Sequence, residues 1–339
     1  MSSAQPYRPW GELDWALGFS ERKSWHFLGC LGTEERSVAS VPRLHSKGML
    51  EHVHLMRIRD TNPTEPEAEE LAIKARLQTC IAAGISFTQH EFTLQAPLNA
   101  NTWPTGFNFS GKGNVCIDIS SLPKRFFFPA IRAALLAHDV RNLIVLYAKP
   151  ASYPSTDISS NPDGWTTMDN FGIIDPDIEA EVDSRLIVNA GFMVGGLIEH
   201  LADRTDGFSP SILIPFPAEP WSSVRRSWES ARSIEESLQV SKEDGAGGRT
   251  PTYRRVGALD ASSAFDVLLG LTSRGKEAAA LAPLGPKPIS MAFCLLASQS
   301  DKHPIYYAQP KAYAVNYSEG YEQTYAYWVK HEGENLYAI

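Results

Sequence analysis

The sequence predicts an α/β fold made of two tandem Rossmann-like units, an internal duplication with mainly parallel sheets, helices on both faces and a C-terminal β-hairpin. Three observations carry this. Short apolar runs alternate with helix-like segments, the signature of buried parallel strands linked by crossover helices. The pattern restarts after a Ser-, Pro- and Asp-rich stretch between Pro150 and Pro176. Two long segments about 160 residues apart match in the order and spacing of their elements.

Residues 1–24, rich in Trp and Pro, read as an arm on the body. Trp25–Leu31 and His52–Ile58 read as strands of a first unit spanning 25–155. Glu65–Ala83 reads as a helix, with acidic residues where the N-terminal dipole favours them and Leu71, Ala75, Leu77 and Ile81 near helical spacing. Ile85–Leu94 follows as a strand, then Asn114–Ile119, the helix Arg125–Ala137 and the strand Asn142–Tyr147. A linker is expected over 156–182, where turn-forming residues crowd.

The second unit is expected over 183–318. Its strands are Arg185–Ala190, Ser211–Phe216, Tyr253–Leu259, the short run Ala279–Pro283 and Ile305–Ala308. Its helices are Leu197–Asp203, Trp221–Val240, Ser262–Thr272 and Ile289–Ala297. Residues 319–339 read as the hairpin, with Gly333 at its turn. Across the halves, Tyr147-Ala148-Lys149-Pro150 matches Tyr307-Ala308-Gln309-Pro310, Lys124 matches Lys287, and Tyr153 matches Tyr313.

The net charge of -8 opposes general nucleic-acid or anionic-membrane binding. The N-terminus lacks the basic flank and apolar core of a signal peptide, and no apolar run approaches the roughly 20 residues of a membrane span. A cytoplasmic chain is therefore expected. Cys30, Cys80, Cys116 and Cys294 are scattered and read as buried thiols, and the nine histidines form no zinc-ligand spacing with them. No cofactor motif is present: Gly195-Gly196 is not a dinucleotide fingerprint, and there is no Walker A loop, HExxH or GxSxG.

Ligands of open parallel sheets sit beyond the carboxyl ends of the strands, where strand order reverses. Two loops per unit are expected there. After the first strands these supply Gly32, Thr33, Glu34 and Arg36, and Gly191 and Phe192. After the fourth they supply Asp118, Ser120, Ser121 and Lys124, and Gly285, Lys287 and Ser290. Lys124 and Lys287 each stand at a helix start, where backbone N–H groups favour an anion, though a solvated lysine fits the same place. Glu34, Glu35 and Arg36 suit a helix start, and Arg36 equally suits a phosphate or a carboxylate. Asp118 suits a general base, a ribose contact or a loop cap.

The strand, Pro-Lys turn, apolar helix and strand, present twice, resemble the ligand-binding unit of CARF and SAVED sensor domains of prokaryotic antiviral defence. The segments are Leu122-Pro123-Lys124-Arg125-Phe126 and Gly285-Pro286-Lys287-Pro288-Ile289, where that family carries a Gly-Thr-Lys-x-Met type of loop. Proline here replaces the family's threonine. The resemblance implies a sensor or adaptor holding a nucleotide or cyclic oligonucleotide in one pocket between the halves, and a separate effector protein as partner. A nucleotide-processing enzyme using Asp118, Glu34 or Arg36 is the alternative. A structural subunit of a defence complex is a third reading, with Trp10, Trp15 and the tail as contact elements.

Overall fold

The computed structural model describes residues 7–19, 23–60, 63, 65–95, 108–154, 164–172, 185–191, 209–217, 223–243 and 250–339. Phe192, the helix expected at 197–203 and most of the expected linker lie outside the described residues. The fold is mixed α/β with a large, mainly parallel sheet. Contacts divide the chain into two units: Met1–Asn161 with Pro310–Ala338, and Pro162–Gln309 with Ile339.

The first unit is built on β2 (Trp25–Cys30), β3 (Leu50–Arg59), β4 (Thr88–Thr93), β5 (Asn114–Asp118) and β6 (Asn142–Ser152), all parallel, in the order β4-β3-β2-β5-β6. Strand order therefore reverses between β2 and β5, which places the unit's switch point at their carboxyl ends. β2, β5 and β6 are continuous apolar runs because their central positions are covered on both faces: all six residues of β2 are buried. The connections are α2 (Ser40–Ser46), α3 (Pro66–Ala82) and α4 (Lys124–Leu136). α3 begins with proline at its first position and Glu67 and Glu69 in its first turn, both favourable at a helix start. α4 buries Phe126, Phe127, Phe128, Ile131 and Leu135.

The last stretch of the chain returns to the first unit. In place of a hairpin with two comparable arms, it forms β13 (Glu319–His331), thirteen residues long and antiparallel to β6, with Tyr325 opposite Tyr147 and Trp328 opposite Ile144. Only the two-residue β14 (Glu334–Asn335) folds back on it. The apolar edge of β6 explains the choice. β13 covers it with Ala326, Tyr327, Trp328 and Val329, none more than 1% exposed. The N-terminal arm then adds β1 (Trp10–Glu12) to the outer side of β13, and α1 (Leu13–Leu17) packs there, with Trp328 Nε1 donating to the Ala16 carbonyl at 2.8 Å. Trp10 stacks on Tyr327, whereas Trp15 is half exposed against Phe19.

The second unit holds β8 (Arg185–Asn189), β9 (Ser209–Pro215), β10 (Thr252–Val256) and β11 (Ala279–Pro283), all parallel, in the order β10-β9-β8-β11. Ile305 extends this order beyond β11 through a parallel bridge to Leu281. Inside the stretch read as linker, β7 (Thr166–Thr167) pairs antiparallel with β12 (Tyr306–Tyr307), and Phe171 is fully buried. The helices are α5 (Ser223–Glu243), α6 (Ala261–Leu271) and α7 (Lys287–Ala297). Asp260 caps α6 by accepting from the Ser263 N–H at 2.8 Å. Leu186, Val188, Ile212, Ile214, Ala231 and Ile234 form the heart of this unit's core. All four cysteines are buried.

Candidate functional site

In the first unit the structure gathers Gly32, Thr33, Glu34, Arg36, Asp118, Ser120, Ser121 and Lys124 at the switch point, on the segments that leave β2 and β5. In the second it places Gly191, Gly285, Lys287 and Ser290 at the corresponding ends of β8 and β11. Placement and availability differ, because several of these groups are consumed by the fold.

Glu34 precedes a single 3-10 turn, Glu35–Val38, without capping it through its side chain. Its carboxylate binds Arg36, with Oε2 2.8 Å from Nε and 2.7 Å from Nη2, and also accepts from Ser318 Oγ. Arg36 is 1% exposed and reaches the Ala148 carbonyl at 3.4 Å, its guanidinium 5.8 Å from the centre of the Tyr147 ring. Burial disfavours the guanidinium charge, but the Glu34 carboxylate beside it outweighs burial and holds the pKa above its ordinary value. Burial likewise raises the Tyr153 and Tyr317 phenols, so they stay neutral. Of the two partners open to Arg36, the structure supplies the carboxylate, and supplies it internally.

Asp118 is equally committed. Its carboxylate accepts from Ser40 Oγ, from Ser120 Oγ and, at 2.8 Å, from the Ser120 N–H. Ser120 Oγ in turn accepts the Ala148 N–H at 2.7 Å, which ties β5 to β6. This is the loop-capping role: a buried carboxylate with three donors holds the chain as it leaves β5. Tyr153 and Tyr313, matched across the halves in the sequence, both belong to the first unit and both pack edge-on against Tyr317, at 6.1 and 5.7 Å.

The rim of the first switch point keeps its polar character. Gly32 lies against Ser121, whose Oγ is buried without a hydrogen-bond partner. Thr33 and Lys124 are partly exposed. Lys124 is the first residue of α4, and no side chain caps that helix: Pro123 stands at the N-cap. The first-turn N–H groups of an uncapped helix point outward as donors.

The second switch point repeats these features. Lys287 is the first residue of α7, Pro286 stands at its N-cap, and no side chain caps it. Ser290 faces inward and donates to the Gly285 and Pro283 carbonyls at 3.2 and 3.3 Å. Gly191 and Gly285 serve close packing: a Cβ at Gly191 would collide with the backbone of Leu284, and one at Gly285 with the Ala190 carbonyl and the Asn189 side chain. Gly285→Ala is expected to lower stability by about 1–3 kcal/mol through overpacking. Gly113→Ala, where a Cβ meets nothing within 4 Å, should be nearly silent by comparison in urea denaturation.

Asn189, which ends β8, is the residue sequence reading missed. It is fully buried, and neither Oδ1 nor Nδ2 has a hydrogen-bond partner. Leaving a buried amide unsatisfied costs on the order of 1–3 kcal/mol. A signal existed: Arg185–Asn189 is an apolar run closed by a polar residue, as Asn114–Asp118 is. The chain matches no model of a known protein family, and no curated protein matches it.

No helix among the described residues is long and apolar enough to cross a membrane.

Proposed function

We propose that this chain is a nucleotide-binding sensor or adaptor, each of whose units takes a phosphate group at its own switch point, and that its two units arose by duplication. The observation that carries the reading is their parallel content. Both place an uncapped helix start bearing a lysine, and a polar side chain without a partner, at the reversal of the same strand order: Lys124 with Ser121, and Lys287 with Asn189. A phosphate there would meet helix N–H donors and an ammonium, and an amide or hydroxyl within reach gains the bond it lacks. The common order of β2 to β5 and β8 to β11 supports the duplication. Asp118 and Arg36, saturated by internal partners, favour binding over turnover.

The resemblance to CARF and SAVED modules makes cyclic oligonucleotides the first ligands to test, and an effector protein of antiviral defence the expected recipient of the signal. A bound nucleotide at about 100 times its Kd should stabilise the protein by about 2.7 kcal/mol. The Lys124→Ala/Lys287→Ala variant should lose that shift. Asn189→Leu should keep or raise the melting temperature of the ligand-free protein, because it removes an unsatisfied amide, yet shrink the ligand-dependent rise. A panel of cyclic oligonucleotides and linear nucleotides that shifts neither wild type nor variants contradicts the reading.

A further inference from the structure

The amino-terminal end of the first unit's sheet, opposite its switch point, carries a cluster that the proposed function does not use. His26 opens the regular pairing of β2 with β3, directly across from His52. The register slips between Trp25, which faces Leu50, and His26, which faces His52, so Glu51 is an extra residue on β3. Such a bulge breaks the alternation of side chains and re-aims the residue it inserts. Here it brings the Glu51 carboxylate to the same side as two imidazoles that normal alternation would deny it.

The resulting geometry is that of three donors around a common centre. Glu51 Oε2 lies 3.5 Å from His26 Nε2, and Glu51 Oε1 lies 3.8 Å from His52 Nε2. One donor atom from each of the three residues lies within 4.8 Å of the others. The two rings stack at 5.1 Å with their planes 19° apart. Both carboxylate–imidazole separations exceed the 2.7–3.2 Å of an N–H···O bond. They approach the roughly 3.3–3.6 Å between donors that share a tetrahedral ion at bond lengths of 2.0–2.2 Å.

We propose that His26, Glu51 and His52 form a binding site for a divalent transition-metal ion of the zinc class, held by two imidazole nitrogens and one carboxylate, with solvent in the remaining position. Two nitrogens and an oxygen suit zinc and its borderline neighbours, whereas magnesium and calcium prefer all-oxygen sets. Glu51 and His52 are exposed and His26 is buried, so an ion can enter from solvent and seat against the sheet. The next imidazoles on this face, His54 and His90, are already joined to each other, Nδ1 to Nε2 at 2.9 Å. Nδ1 of His26 is buried without a partner, so the site lacks the outer acceptor that commonly orients a zinc-bound imidazole. Its affinity is accordingly expected to fall below that of a closed structural zinc site. Bound metal would fasten β2 to β3 across the bulge.

The test uses the untagged full chain, stripped with chelator and titrated with zinc, then with cobalt as a spectroscopic probe. One equivalent of zinc should bind, and cobalt should give the visible absorption of a low-coordinate nitrogen–oxygen site. Glu51→Gln/His52→Ala, both substitutions at exposed positions, should weaken zinc binding by about 100-fold and abolish the cobalt signal, while His138→Ala leaves both unchanged. Zinc uptake equal in wild type and the double variant, or no uptake at one equivalent, overturns the assignment. The ligand-induced stabilisation lost with Lys124 and Lys287 should survive in this variant, so the two sites are tested separately.

Discussion

Arg36→Met is expected to destabilise the protein by roughly 3–5 kcal/mol, because it strands the Glu34 carboxylate in a buried site without its counter-charge. In a unit of about this size that corresponds to a fall in melting temperature of about 10 °C. The large effect comes from the charge left behind more than from the worth of the pair. Replacing both partners, as Glu34→Met/Arg36→Met, should therefore recover much of the loss, even though Ser318 and the Ala148 carbonyl each forfeit a partner. Differential scanning calorimetry of the two variants decides the matter. An Arg36 whose purpose is to hold ligand would give the opposite outcome: little change in the ligand-free melting temperature, and a lost ligand response.

Acid should destabilise the second unit through His303. This imidazole is fully buried, and neither ring nitrogen has a hydrogen-bond partner of normal geometry. Burial, aided by the neighbouring Lys302 charge, pushes its pKa down from 6.5 to about 4, and backbone groups at Gly275 and Ala279 offset only part of that. The native state thus holds the neutral ring while the unfolded chain takes up a proton. The group's stabilisation is complete above pH 6.5 and drains away as the pH falls towards 4. The slope cannot exceed about 1.4 kcal/mol per pH unit, so the whole window is worth at most about 3–4 kcal/mol. Urea denaturation of wild type and His303→Leu at several pH values across the window should show the wild type losing more stability on acidification. Parallel pH profiles would rule His303 out as the titrating group.

The sequence made the parallel strands and most helices legible because these elements advertise themselves locally. Asn142–Tyr147 is apolar throughout, and Glu65–Ala83 keeps helical spacing, so each could be placed without knowing its neighbours. α2 has no comparable signal in its seven residues. Only Ser40, Val41 and Leu44 turn inward, too few to set a period. β13 reads from the sequence as one arm of a hairpin because its long-range partner, β6, lies some 170 residues earlier. The sequence shows which strands the candidate residues follow, but their state of engagement depends on the far end of the chain. Ser318 and Tyr317, which close over Glu34 and Arg36, are separated from them by more than 280 positions. The histidine–glutamate cluster needed a slip in register that only the paired strands reveal.

The return of residues 310–338 to the first unit sets an order on assembly during synthesis. The unit that begins first is finished last. Until β13 emerges, β6 offers eleven residues of mostly buried strand as an open edge, and the Glu34–Arg36 pair lacks its cover. A nascent chain halted after Asn161 should accordingly be a client for chaperones and prone to edge-to-edge association. Splitting the protein into halves for separate expression therefore requires grafting the closing segment back onto the amino-terminal piece.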